Sequence, residues 1–370
     1  MSANPLHSRL CEEYGCEVPV VAFAHTKDVI AAVTNAGGLG VLGAAGATAD
    51  ELRSSIKWIR ERVGNKTFGV DLLVPASFVE GNREDLEALI PQGHRDFVEK
   101  MQKDNNIPDP SPEGARRGGL GPELLRHSRE LLEVLFEEKI KIFASGLGSP
   151  AFVVERAHEQ GMKVWGLVGL PRQARRQIEA GIDVIVAQGY DSGGHSGTIG
   201  TFTLVPEIVR MAEGTNSLVL AGGGISNGRQ LAAALAMGAD GIWTGTIWLA
   251  THESETEMFL KQRLIEAQAE DAIQSRATSG KPIRQLRSKW SDAWKQDGAP
   301  DPLPMPLQPM LVNNLLAGIR EAKMEDWMTT PAGQSVVGIH SIRPAAEVVF
   351  SLVEEAQDQF DRLAGEPVGV

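Results

Sequence analysis

The feature that most constrains this chain is an alternation. Short, nearly continuous apolar runs take turns with helix-like patterns, and the pair recurs along most of the sequence. The candidate strands are Pro19–Phe23, Leu39–Gly43, Phe68–Val74, Lys141–Ser145, Lys163–Val168, Val184–Gln188, Ser217–Ala221 and Gly241–Gly245. Tracts such as Val184-Ile-Val-Ala187 and Leu218-Val-Leu-Ala221 lack the in–out alternation of a half-exposed sheet. They suit parallel strands buried on both faces. Helix signals fill the gaps. Thr48-Ala-Asp-Glu51 spells a capping box ahead of an amphipathic stretch to Val63. Pro150 and Pro171 suit first-turn positions, and Asn227 precedes an Ala/Leu-rich run of strong helix formers. The α/β pattern predicts a (β/α)8 TIM barrel, a fold whose sites form at the C-terminal ends of the strands.

Two segments interrupt the rhythm. Residues 75–122 are charged and carry Pro108, Pro110, Pro112 and Gly118-Gly119, too long a stretch for an ordinary loop. Residues 251–338 are longer, with Trp290, Trp294, Trp327 and the run Pro300-Asp-Pro-Leu-Pro-Met-Pro306. Such proline density excludes a helix there, while the tryptophans argue against disorder. The expected organisation is a barrel of residues 1–250 plus 339–370 and, inserted after the eighth strand, a mostly helical, Pro-rich subdomain of 251–338 covering the active site. Trp290 and Trp294, spaced i, i+4, are read as that subdomain's core. Pro344 opens a closing helix, Ala345 to Leu363.

Charge limits the partners. With 36 Lys+Arg against 48 Asp+Glu the formal net charge is −12, so no basic field would attract nucleic acid or an anionic membrane. No signal-peptide pattern opens the chain, and no apolar run approaches the roughly 20 residues of a membrane span. A cytoplasmic protein is expected. Cys11 and Cys16 are too few for a disulfide framework, and with His7 they give three metal ligands and no fourth, so no metal is expected.

The 40 glycines cluster where a barrel would place ligand loops. Gly38-Leu-Gly40-Val-Leu-Gly43 matches a dinucleotide fingerprint in letters only, because a helix precedes it and a strand follows. Its first glycines read as a helix C-cap. By contrast, Ala221-Gly-Gly-Gly-Ile225 and Gly245-Thr246 end consecutive strands, the seventh and eighth, where barrels repeatedly bind phosphate. Glycine lets backbone N–H groups approach phosphate oxygens, and a following helix N-terminus would add favourable partial charge. The bland reading is a pair of tight turns. Ala187-Gln-Gly-Tyr-Asp-Ser-Gly-Gly-His195-Ser-Gly197 extends the sixth strand into a glycine-flanked loop. It carries a histidine able to exchange protons at neutral pH, or one that merely makes a structural hydrogen bond. Gly194-His-Ser-Gly-Thr198 is not a nucleophile elbow. The remaining histidines stand singly, and of these only His25, just past the first strand, is a candidate to line the site.

These segments, with Asn35-Ala-Gly-Gly-Leu-Gly-Val-Leu-Gly43, Gly193-Gly-His-Ser-Gly197 and Pro331-Ala-Gly-Gln334, resemble the nitronate monooxygenase (2-nitropropane dioxygenase) family of FMN-dependent barrels. The resemblance implies FMN as cofactor and His195 as catalytic proton-transfer group. It places flavin contacts at Gln188, Gly193, Gly223, Gly245 and Thr246, with the adjoining Ala22, Gly194, Gly222, Gly224 and Thr244 completing the set. Asp71 falls where the family usually has Asn, and Ala22-Phe23-Ala24 replaces its Ala-Pro-Met. The implied reaction is oxidation of a carbanion-forming, nitronate- or nitroalkane-like substrate with O2. The same motifs occur in NAD(P)H-dependent FMN reductases acting on an enoyl thioester or quinone, the alternative expectation. A phosphate- or flavin-binding module without catalysis is the reading from another class.

Overall fold

Eight parallel strands close into a barrel in chain order: β1 (Val20–Ala24), β2 (Leu39–Gly43), β3 (Gly69–Leu72), β4 (Ile142–Ser145), β5 (Lys163–Val168), β6 (Val184–Gln188), then β8 (Leu218–Gly222) and β9 (Gly241–Thr244), which returns to pair with β1. The intervening β7 (Gly194–His195) lies outside the barrel, in a small antiparallel sheet with β10 (Ala272–Ser275) and β11 (Ile283–Leu286). The computed structural model describes residues 4–73, 83–117, 124–146 and 148–365. Val74, Gly118-Gly119, Leu147 and part of the first interruption lie outside these.

Helices occupy the positions that their caps predict. Thr48 and Glu51 form the reciprocal capping box of helix Ala49–Val63, and Asn227 with Gln230 does the same for helix Gly228–Ala236. Each cap is worth about 0.5–2 kcal/mol. Helix Ala345–Ala364 begins after Pro344 and packs between helices Gly228–Ala236 and Lys27–Asn35, completing the outer ring. Gly228 permits that packing: a Cβ there would overlap the Leu352 carbonyl oxygen.

The strands separate two cores. Outward residues, among them Ala22, Val70, Leu72, Phe143, Ile185 and Ala221, pack on the helices. Inward residues Val21, Leu39, Val41, Ile142, Ala144, Trp165, Val184, Val186, Leu218, Leu220 and Trp243 fill the barrel with help from below. The short helix Arg9–Tyr14 plugs the N-terminal end with Leu10, Cys11 and Tyr14, and Cys11 and Cys16 are buried thiols that form no disulfide. Trp165 Nε1 donates to Tyr14 Oη at 3.0 Å, so the indole polar group is satisfied. A buried aromatic removes about 150–250 Å² from water, worth roughly 4–6 kcal/mol at about 25 cal/mol per Å². The barrel floor is therefore a firm support for what lies above it.

A third cluster joins the two interruptions. Val98 and Met101 of helix Gln92–Asp104 and Ile107 pack with Leu260, Trp290, Trp294, Val312, Leu315, Ile319 and Trp327. Trp290 and Trp294 are core residues, 0% and 7% exposed. Segment 251–338 holds helices Met258–Glu266, Lys289–Ala293 and Leu307–Glu321, and also the β10–β11 hairpin that a helical, Pro-rich reading did not anticipate. Four-residue strands containing Gln, Ser and Arg give no apolar alternation; the pairing with β7 is what defines them.

Candidate active site

Two-residue periodicity carries the inward face of each strand one step further, to the barrel's C-terminal mouth. Above Val21, Val41, Gly69, Ala144, Trp165, Val186, Leu220 and Trp243 stand, in the same strand order, Phe23, Gly43, Asp71, Gly146, Leu167, Gln188, Gly222 and Gly245. Half of this ring is glycine, where the layer below carries tryptophans and branched residues. The floor is full, while the mouth ring is thinned to the side chains of Phe23, Asp71, Leu167 and Gln188; Phe23 stacks on Trp243 at 5.6 Å between ring centroids and, with His25, occupies the space over Gly43.

Ala22 and Thr244 lie out of this ring. Ala22 belongs to the helix-facing core, and Thr244 Oγ1 donates to the Val21 carbonyl and accepts from Trp248 Nε1. Their side chains point away from the mouth, as their odd-step neighbours Phe23 and Gly245 point into it.

The glycine loops converge. Gly223 adopts φ +97°, a conformation L side chains rarely take, and a Cβ there would stand 3.0 Å from Ser192 Cβ and 3.1 Å from Thr201 Oγ1. On the other side of the loop a Cβ on Gly193 would stand 2.8 Å from the Gly333 nitrogen. Thr246 Oγ1 accepts from Gly333 N–H at 2.9 Å, and Gln334 N–H donates to the Asp191 carbonyl, also at 2.9 Å. Loops 189–195, 222–224, 245–246 and 331–334 are thus knitted into one backbone surface around Ser192. The Ser192 hydroxyl is buried and has no hydrogen-bond partner, a donor awaiting an acceptor. The sequence reading named its neighbours and missed Ser192 itself.

One expected contributor is absent from this cradle. The helix that follows Gly224 begins at Gly228, but its Gly228 N–H is taken by Glu355 Oε2 at 2.8 Å and its Gln230 N–H by Asn227 Oδ1 at 3.1 Å. A carboxylate already sits on that helix terminus, which is therefore not free to take an anion.

His195 is held by a segment far away in sequence. β7 pairs antiparallel with β11, placing His195 opposite Ile283 and Gly194 opposite Arg284. His195 Nδ1 lies 3.0 Å from the Pro282 carbonyl oxygen. A carbonyl only accepts, so Nδ1 carries the hydrogen in that bond and Nε2 of the neutral ring is left with its lone pair. Burial pulls the pKa below its ordinary value; the Pro282 hydrogen bond opposes this and the nearby Lys281 charge adds to it. The ring is therefore mostly neutral at pH 7. Arg284 braces the same loop: its Nε donates to the Tyr190 carbonyl at 3.2 Å and its guanidinium lies 4.4 Å from the Tyr190 ring centroid. His25 bonds through Nδ1 to the Gly43 carbonyl at 2.9 Å and packs edge-on to Phe23 at the mouth.

A closed parallel barrel with polar groups and glycine loops at its C-terminal mouth defines the (β/α)8 barrel class, whose active sites form at that end. Within that class the chain belongs to the nitronate monooxygenase family, whose model matches residues 12–355, and it is an oxidoreductase. It is 41% identical over 374 residues to "Putative monooxygenase Rv1533" of Mycobacterium tuberculosis, covering 97% of this chain and 99% of that protein. Among solved structures it is similar to nitroalkane oxidase from Streptomyces ansochromogenes (TM-score 0.78, 27% identity, 94% of this chain and 98% of that one). It is also similar to FabK from Thermotoga maritima (TM-score 0.74, 26% identity, 97% and 98%). Among the described residues no helix is long and apolar enough to cross a membrane.

Proposed function

We propose that the protein is an FMN-dependent oxidoreductase that oxidises a carbanion-forming substrate of the nitronate or nitroalkane type, with O2 as electron acceptor. The observation that carries this reading is the mouth itself: a ring half made of glycine above a tryptophan floor, beside loops that converge on an unpartnered hydroxyl. The glycine-rich side of the mouth would take a planar ring, and the surface formed by Ser192, Gly193, Gly223, Gly224, Gly245 and Thr246 would take a phosphate. When bound, the flavin would supply the two-electron chemistry. The protein's own part is binding and proton movement. Nε2 of His195, unprotonated and fixed through the Pro282 contact, takes the proton from an acidic C–H bond. Gln188 and Asp71 offer hydrogen bonds from the barrel wall. Segment 251–338, with its hairpin seated on the His195 loop, covers the site and holds the base in place.

A second reading is an NAD(P)H-dependent FMN reductase acting on an enoyl thioester or quinone. Phe23 favours it: an aromatic stacked in the mouth where the family pattern has Pro changes the surface that a small nitronate would meet. Anaerobic titration separates the two. Bleaching of the flavin absorbance by an alkyl nitronate without NAD(P)H supports the first reading, and rapid bleaching by NAD(P)H supports the second. No turnover with either donor would return the chain to a binding module.

A further inference from the structure

A cleft of about 240 Å³ lies on the helix side of the barrel wall, outside the mouth, and the reaction proposed above does not use it. Two of its walls continue the cradle: Ser226 and Asn227 follow loop 222–224, and residues 338–343 follow loop 331–334. The two walls touch, since a Cβ on Gly338 would overlap the Ser226 hydroxyl. The third wall is the first turns of helix Ala345–Ala364. Its Val348 and Leu352, spaced i, i+4, join Ile247 and Ile339 in an apolar floor that belongs to the helix-facing core, each of them 7% exposed or less.

Beside that floor the same helix carries Ser351 and Glu355, again spaced i, i+4 and therefore on one face. Arg343 Nη1 donates to Ser351 Oγ at 3.1 Å, and Glu355 Oε2 accepts from the Gly228 N–H at 2.8 Å. Four helical residues, about 6 Å of rise, thus separate the anchor of a guanidinium from that of a carboxylate. Neither charge forms an ion pair, with the other or with any other side chain among the described residues. Each is held in place by a neutral partner and keeps capacity to spare: Arg343 has further N–H donors, and Glu355 has a second oxygen.

We propose that this cleft binds a small aliphatic α-amino acid as its zwitterion, with the carboxylate on Arg343, the ammonium on Glu355 and the side chain on the floor. Both charges of the cleft are then met by charge-assisted hydrogen bonds. A simple carboxylate would satisfy Arg343 and be repelled by Glu355, and a phosphate dianion would be repelled more strongly. The volume falls below the roughly 300–1,000 Å³ of pockets that take drug-sized ligands, which suits a molecule of amino-acid size and not a nucleotide. The site is independent of what the mouth holds.

Calorimetric titration of the purified full chain tests this with L-leucine, with 4-methylpentanoate, which lacks the ammonium, and with 3-methylbutylamine, which lacks the carboxylate. L-Leucine should bind saturably, one per chain, with Kd below about 1 mM. Both analogues should bind more weakly by at least about tenfold, because each forfeits a hydrogen bond to a charged group. Arg343→Gln and Glu355→Gln should each weaken L-leucine roughly 10–150-fold, the second while keeping an acceptor for the Gly228 N–H. Should either variant fail to fold, the comparison of the three probes on the wild type decides alone. No saturable binding of L-leucine would overturn the proposal, as would 4-methylpentanoate or 3-methylbutylamine binding as tightly as L-leucine. Binding of L-leucine that survives both substitutions would place it elsewhere and overturn the assignment of the cleft.

Discussion

If His195 is the base proposed above, replacing it by Asn removes that base while sparing its support. The Asn amide N–H reaches the position of Nδ1 and can still donate to the Pro282 carbonyl, so the bond that anchors β7 on β11 survives. A net hydrogen bond of about 0.5–1.5 kcal/mol is at stake, and because it is retained the melting temperature should change little. What disappears is Nε2. Burial holds its pKa below the ordinary imidazole value, so at pH 7.5 the wild-type ring is mostly unprotonated, and the proposed base function is lost in the variant. General acid–base catalysis is worth roughly 10²–10⁴ in rate, or about 2.7–5.4 kcal/mol of barrier at about 1.36 kcal/mol per decade. The assay compares kcat/KM for nitroethane as the neutral acid with ethyl nitronate supplied as the anion. The neutral acid should suffer that full loss and the anion, already deprotonated, much less. For wild type, the neutral-substrate rate should rise with pH through a limb centred below the ordinary imidazole range, and that limb should be missing in the variant. Equal losses on both substrate forms, or a limb that persists in the His195→Asn variant, would refute the assignment of His195 as the base.

Two further substitutions probe the proposed phosphate surface. Gly223→Val forces a branched side chain onto φ +97° and against Ser192; the purified variant should retain less than about a tenth of the wild-type flavin, and full retention would show that the phosphate lies elsewhere. Ser192→Ala removes a buried hydroxyl that has no protein partner, so it should leave the melting temperature of the flavin-free chain unchanged while weakening FMN roughly 5–150-fold. Unchanged affinity in that variant would remove Ser192 from the cradle.

The barrel was legible because its strands are buried on both faces and its helices announce themselves with capping boxes and first-turn prolines. Where the glycine loops and His195 sit was legible for a related reason: they follow directly on strands marked by their burial, and so fall at the barrel's C-terminal mouth. What holds His195 was not. Pro282, Ile283 and Arg284 lie far downstream in a hairpin too short and too polar to show a period, and only tertiary pairing with Gly194-His195 makes it a strand. The common core of helix Gln92–Asp104 and segment 251–338 is likewise a long-range packing choice that each segment's own sequence leaves open. Ala22 and Thr244 show the reverse case. Counting alternate residues from Val21 and Trp243 directs Phe23 and Gly245 inward, so the turn of those two side chains toward the helices was available from period two alone.

If the barrel mouth holds FMN, gripped at its phosphate by the converging glycine loops, the cofactor should travel with the protein. The most direct measurement is the cofactor released by heat from protein purified in the dark, identified by chromatography and quantified against protein concentration. FMN at one per chain is expected, with the visible spectrum of a bound oxidised flavin before release. FAD in its place, or protein that neither carries FMN nor binds it when added, would contradict this assignment of the mouth.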